Sequence, residues 1–153
     1  MKELEQIAQE GRIDENSSLT DRQSIIINVS IQEVWNKLTA IDQWPEWNKD
    51  IKWAKGVAKK QGDVFSWNHH GKNYQSILEV AKAPHLFTFV AKSGLIKSIF
   101  SWTLDETDEN QTVISMEQSS KGFMLFLFMN HGKVHYDMLH WLEQLRDSLA
   151  PNH

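Results

Sequence analysis

Trp44-Pro45-Glu46-Trp47 is the stretch that decides the reading of this chain. Two large aromatics flank a proline, shortly after Ser30-Ile31-Gln32-Glu33-Val34-Trp35-Asn36-Lys37-Leu38. In that earlier stretch Ser30 reads as a helix N-cap, and Glu33 three residues later completes a capping box. Ile31, Val34, Trp35 and Leu38 recur at helical spacing, which gives the helix one apolar face. Pro45 disfavours helix at Trp44 and predicts a break there, and it can then open a short turn of helix through Glu46 and Trp47. Upstream, Ile25-Ile26-Ile27 is a β-branched run that predicts a strand over residues 22–29. An aromatic corner placed behind a strand and a capped helix is suited to close one end of a pocket.

Beyond residue 51 the pattern changes to strands punctuated about every ten residues. Ile51, Trp53 and Lys55 lead to Gly56. Residues 64–69 precede a turn at His70-Gly71, and residues 74–80 run to Ala83-Pro84. Phe87 and Phe89 share a face, Phe100, Trp102 and Leu104 alternate with polar residues, and residues 112–120 form the last strand. Such alternation marks an antiparallel sheet with one covered face. By alternation the covered face holds Phe65, Trp67 and His69; Tyr74, Leu78 and Val80; Phe87 and Phe89; and Phe100, Trp102 and Leu104. After Gly122 the chain reads as one helix, roughly Met124 to Leu149. Its apolar stripe is Leu127, His131, Val134, Met138, Trp141, Leu142, Leu145 and Leu149. The expected fold is α+β. A curved antiparallel sheet of about seven strands wraps around a long C-terminal helix, and two short helices follow the first strand. Residues 1–21 read as an acidic, polar leader with a short helix that packs loosely, and residues 22–150 as a single domain.

The 153 residues carry a net charge of -4, 41% hydrophobic residues and no cysteine. This excludes disulfides, thiolate metal sites and cysteine nucleophiles, and it fits a cytoplasmic protein. Residues 24–102 hold ten lysines against six acids, but these fall at turns and on polar strand faces. No basic field directs the chain to nucleic acid. The longest apolar run, residues 123–129, is too short for a membrane span of about 20 residues. The N-terminus lacks an apolar signal core. Seven tryptophans are unusual for this length and imply either a bulky core or an aromatic-lined cavity.

Three polar features bear on chemistry. Glu117 lies in a strand where Val113, Ser115 and Glu117 share one face and Ile114, Met116 and Gln118 the other. Apolar content does not choose between the faces. An inward Glu117 would be a buried carboxylate able to act as acid, base or anchor, and an outward one would be solvated. His69 shares the face of Phe65 and Trp67. His131 and His135 lie four apart on the terminal helix, a spacing that suits zinc. Gly132 stands where a zincin glutamate would be and no third ligand is evident, so no metal site is expected. No nucleophile elbow, phosphate loop or dinucleotide fingerprint occurs, so no cofactor is expected.

The order of elements and several motifs resemble the START-like superfamily, which includes the polyketide cyclase/dehydrase and birch-pollen-allergen-like groups. The resemblance runs from Ile31-Gln32-Glu33-Val34-Trp35 through Asp42-Gln43-Trp44-Pro45-Glu46-Trp47-Asn48, Gly62-Asp63, Phe100-Ser101-Trp102-Thr103-Leu104 and Thr112-Val113 to Trp141-Leu142-Glu143. It implies a helix-grip fold with a cavity between sheet and helix. It also implies a small hydrophobic or amphipathic ligand: lipid, sterol, polyketide or aromatic metabolite. The residues it would place against that ligand are Trp47, Trp53, Phe65, Trp67, His69, Tyr74, Phe87, Phe89, Trp102, Glu117 and Met138, with Trp44 packing behind them. Whether such a fold catalyses is a separate matter. A cyclase/hydratase would use Glu117, His69 or Tyr74 to move protons, and a chaperone-activator type of interaction module would need no pocket at all.

Overall fold

A computed structural model describes residues 2–127 and 129–149, the side chain of Lys2 excepted. Met1, Phe128 in the apolar run and residue 150 at the expected domain end lie outside the described residues. The elements are α1 (Lys2–Gln9), β1 (Leu19–Ile27), α2 (Ile31–Thr39), α3 (Trp44–Trp47), β2 (Ile51–Gly56), β3 (Val64–His69), β4 (Lys72–Lys82), β5 (Leu86–Ser93), β6 (Ile96–Glu106), β7 (Thr112–Gly122) and α4 (His131–Leu149). The seven strands form one antiparallel sheet in the order β1-β7-β6-β5-β4-β3-β2. The first two strands in sequence therefore occupy opposite edges, and residues 28–50 must cross the whole sheet to join them. α2, a 3-10 turn at Ile41–Gln43 and α3 make that crossing.

The capping box works as its sequence predicts, since Ser30 Oγ accepts from the Glu33 N–H and Ile31, Val34, Trp35 and Leu38 are buried. Trp44 departs from expectation. It is helical (φ -50°, ψ -42°) despite preceding proline. It opens α3, where Pro45 stands in the first turn and no backbone donor is needed.

Two strands change face partway along, and alternation alone does not foresee this. A register shift between Ile51 and Trp53 leaves Ile51 buried in the core while Trp53 pairs with Asn68 on the outer face. A second shift between Leu78 and Val80 makes Glu79 the extra residue of a bulge. Leu78 stays inside, whereas Val80 pairs with outward Thr88 and Ala81 takes the inward place opposite Phe87. Val80 is thus not on the covered face.

The terminal helix also starts later than its stripe suggests. Asn130 caps it, its Oδ1 accepting from the Lys133 N–H at 2.8 Å. Leu127 belongs to a separate 3-10 turn at Leu125–Leu127 and is exposed, as is His131. Val134, Met138, Trp141, Leu142 and Leu145 are buried against the sheet.

The core between sheet and α4 is an aromatic cluster with Trp44 at its centre. Its ring centroid lies 5.9 Å from Phe65, 5.6 Å from Trp67, 6.3 Å from Phe89 and 5.4 Å from Trp141. Its indole N–H donates to the Leu38 carbonyl at 2.8 Å. One side chain thus joins the crossing segment, the middle of the sheet and the terminal helix.

The opposite face of the sheet is covered too. Leu4, Ala8 and Ile13 bury themselves against Val90 and Ile99. The Asp14 N–H donates to Ser119 Oγ at 3.1 Å, and the Ser101 hydroxyl to the Gly11 carbonyl at 3.2 Å. Gly11, at φ +75°, ends α1 in the left-handed conformation that glycine adopts without strain. The leader that composition marks as loosely packed is an outer layer with its own apolar contacts. Leu19, Thr20 and Asp21 extend β1 beyond its predicted start by pairing with Ser120, Ser119 and Gln118.

Each face of the sheet can be tested by one truncation. Ile13→Ala should lower unfolding free energy by about 2–4 kcal/mol, read as a shifted urea midpoint. A change under about 0.5 kcal/mol would mean that the outer layer adds nothing to stability. Trp44→Ala should lower it by about 3–5 kcal/mol. Trp44→Phe, which keeps ring packing but leaves the Leu38 carbonyl without its donor, should fall between that variant and wild type.

Candidate functional site

A small pocket opens between the β3–β4 end of the sheet, β6, β7 and the first half of α4. Its volume is about 50 Å³, and its walls include Trp67, Tyr74, Phe100, Met116, Val134, Met138 and Trp141. Its polar groups come from His69, His70, Lys72, Gln118, Asn130, Lys133 and Asp137. A groove of about 300 Å³ shares Lys72, Tyr74 and Met129 with it and continues along Ser93, Gly94, Leu95 and Ile96. The 50 Å³ space holds a few water molecules. Pocket and groove together reach the low end of the range for small-ligand sites.

The strand register explains the polar floor. Trp67 stacks on its cross-strand partner Tyr74 at 4.3 Å and donates its indole N–H to Ser76 Oγ at 2.8 Å. On the paired strands β6 and β7, Ser98 and Ser120 hydroxyls lie 2.6 Å apart, and Gln118 Nε2 donates to Ser120 at 3.1 Å. His69 stacks on Trp141 at 5.5 Å. Burial lowers its pKa to about 4, with the neighbouring His70 as the next cause. Burial likewise raises Tyr74 to about 12. Both side chains are neutral at pH 7.

Of the residues that the resemblance places against a ligand, the structure brings Trp67, His69, Tyr74 and Met138 together around this pocket. Trp47, Phe65, Phe87, Phe89 and Trp102 pack into the core instead. Phe89 is fully buried among Phe65, Phe87 and Phe100, at 5.0, 5.6 and 5.1 Å. Trp102 is fully buried against Trp141 at 5.4 Å. Trp53 faces outward after the β2 bulge, with the Lys55 ammonium 5.5 Å from its ring.

Glu117 also faces outward. Ile114 and Met116 take the inward positions, and the Glu117 carboxylate meets Arg22 Nε at 2.7 Å across the β1–β7 pair. Arg22 bridges to Glu15 as well. The inward, buried-acid reading of Glu117 does not hold, because the apolar neighbours and the arginine decide the face.

The pocket also gathers residues that the resemblance does not place against a ligand. Met116 and Gln118 complete its walls from a strand whose facing alternation leaves open, beside Phe100 of the expected covered face and Trp141 of the helical stripe. The Trp141 indole N–H is buried and has no acceptor among the described residues; the same holds for Trp47 and Trp102.

Beside the pocket, Asp50, His69 and His70 present ligand atoms within 4.8 Å of one another. Asp50 Oδ2 lies 2.9 Å from His140 Nδ1, and His70 Nε2 lies 3.2 Å from Asp137 Oδ1. The pair singled out by spacing is elsewhere. His131 and His135 are exposed and lie 3.9 and 2.8 Å from Asp21 of β1.

No family model matches the sequence, and no curated protein matches it. Solved structures do match the fold. A hypothetical protein from Helicobacter pylori superposes with a TM-score of 0.73 at 12% identity, over 88% of this chain and 89% of its own. A START superfamily protein from Mycobacterium smegmatis gives 0.66 at 11% identity, over 85% and 93%. DynU16, from the dynemicin biosynthetic locus, gives 0.71 at 15% identity, over 85% of this chain and 46% of its own. Among the described residues no helix is long and apolar enough to cross a membrane. With one antiparallel seven-stranded sheet packed on a C-terminal helix, the chain has a helix-grip fold, shared with the START superfamily protein from Mycobacterium smegmatis.

Proposed function

We propose that the protein binds a small amphipathic ligand at the end of the sheet–helix interface, with a compact polar head in the pocket and an apolar part along the groove. The observation that carries this reading is the lining itself. Apolar walls from Trp67, Tyr74, Phe100, Met116 and Met138 lead to a polar mouth of His69, His70, Lys72, Gln118, Asn130, Lys133 and Asp137, an amphipathic lining that suits an amphipathic ligand. The Trp141 ring lines the same space and stacks on His69 at 5.5 Å.

A binder fits these groups better than a proton-transfer enzyme. General acids and bases work best with a pKa near the operating pH. His69 at about 4 and Tyr74 at about 12 sit on either side of neutrality, and Glu117 is on the far face of the sheet. The small volume also favours fatty acids or single-chain aromatic metabolites over sterols, since the core aromatics fill the space a larger cavity would need.

Titrating the protein with a panel of fatty acids, aromatic polyketides and sterols should give a saturable change in tryptophan fluorescence with at least one of the first two classes. Tyr74→Phe keeps the ring and removes the hydroxyl. It should weaken that ligand by about 1 kcal/mol, roughly fivefold. A panel with no saturable response would sink the reading.

The same pocket has a pH signature. His69 titrates at about 4 when folded, against an ordinary value of 6.5. The unfolded chain therefore binds the extra proton first as pH falls. The stability linked to neutral His69 is complete above about pH 6.5 and is lost progressively towards pH 4. Urea midpoints measured in chelator should fall across that window in wild type more than in His69→Phe. A His69 ring resonance titrating above about pH 6 would contradict the burial that lowers its pKa.

A further inference from the structure

We infer that Asp50, His69 and His70 form a divalent metal site, of the kind that takes zinc, at the mouth of the pocket. Two pieces of chain bring the groups together, the segment before β2 and the β3–β4 hairpin. Asp50 follows α3, His69 ends β3, and His70 opens the turn into β4. Backbone pairing fixes the first to the others, since the His70 N–H donates to the Asp50 carbonyl at 3.0 Å and Ile51 is in register with His69. The donor atoms lie within 4.8 Å of one another, and Asp50 Oδ2 is 3.7 Å from His70 Nε2. A tetrahedral ion with bonds of about 2.0–2.1 Å separates its ligands by about 3.3 Å. Closing the cluster onto an ion therefore takes small side-chain rotations rather than backbone movement.

Two imidazoles and one carboxylate are a donor set that suits zinc, and three protein ligands leave a position open for water or a ligand oxygen. The surroundings fit the same role. His140, from α4, stands 2.9 Å from the Asp50 carboxylate and holds its direction. Such an outer partner orients a metal ligand. Asp137, one turn earlier on the same helix face, stands 3.2 Å from His70 Nε2; with that nitrogen on the ion, the Asp137 carboxylate would give up this contact and lie beside the metal. His70 (φ +51°) and Gly71 (φ +81°) are the two central residues of the β3–β4 hairpin turn, which requires the left-handed backbone at both. That conformation turns the chain just where the imidazole meets α4. His69 and His70 also line the pocket, so an ion held by them would stand at its edge.

The site does not depend on the ligand proposed above, and zinc alone tests it. Full-length protein, stripped with chelator and titrated with Zn²⁺ by calorimetry, should bind one equivalent tightly enough to saturate at micromolar concentrations. Asp50→Asn and His70→Gln should each weaken binding at least tenfold. The paired variant His131→Ala with His135→Ala should leave that binding unchanged. Either no saturable Zn²⁺ binding, or binding lost in the His131/His135 pair and kept in the Asp50 and His70 variants, would overturn the assignment. Should the single variants fail to fold, wild-type histidine ring resonances decide. Zn²⁺ should shift those of His69 and His70, and shifts confined to His131 and His135 would refute the site. Fluorescence binding of fatty acids to the stripped protein reports on the pocket separately.

Discussion

The Trp44 indole is the constraint on which the remaining packing depends. A chain whose first two strands lie at opposite sheet edges needs a crossing segment that stays put. Apolar faces alone would let such a segment slide, because the hydrophobic effect has little direction. The hydrogen bond from Trp44 to the Leu38 carbonyl adds direction. It ties the end of α2 to the start of α3, and the ring edges against Trp67, Phe65 and Trp141 then set how far α4 stands from the sheet. The width of that gap fixes how much room is left for anything else. With indole and phenyl rings filling it, little is left, and the open volume is displaced to the β3–β4 end.

This displacement changes the meaning of the aromatic richness. Seven tryptophans in a helix-grip fold suggest a wide greasy cavity, but most of them are the filling. The open space begins beyond the filled core, at Tyr74 and Met138. The polar residues around it come from the ends of elements, where strand turns and the first turns of α4 converge. In the proposed binding role, specificity would be set by loop ends and helix face, on an aromatic base.

How legible this is in the sequence depends on the range of the interaction. Ser30 and Glu33 act within one turn of helix, so the capped helix is readable. The seven strands and their antiparallel order follow from alternation and turns. The bulges at Lys52 and Glu79 carry no residue that advertises them. Each reverses inside and outside for the remainder of its strand, which is why alternation misplaces Val80 and why Trp53, which the resemblance sets against a ligand, faces outward. Glu117 cannot be assigned from sequence because both faces of β7 mix polar and apolar residues. Its face is settled by Arg22, some ninety-five positions away. Asn130 is a readable cap, hidden by the apolar run that continues the helical stripe before it. The grouping of Asp50, His69, His70 and His140 is purely tertiary. Spacing rules find ligands on one helix, and here they point to His131 and His135 instead.

The closeness of the indoles has an optical consequence. Trp141 lies 5.4 Å from Trp44, 5.5 Å from Trp67 and 5.4 Å from Trp102. Transition dipoles at such separations couple, and excitation absorbed by one ring migrates among all four. The near-ultraviolet circular dichroism of the protein should be dominated by this quartet as a single chiral chromophore. Emission will then come from whichever ring lies lowest in energy rather than from the one that absorbed. Because Trp67 and Trp141 form part of the pocket wall, an event at the mouth is reported by light gathered throughout the core.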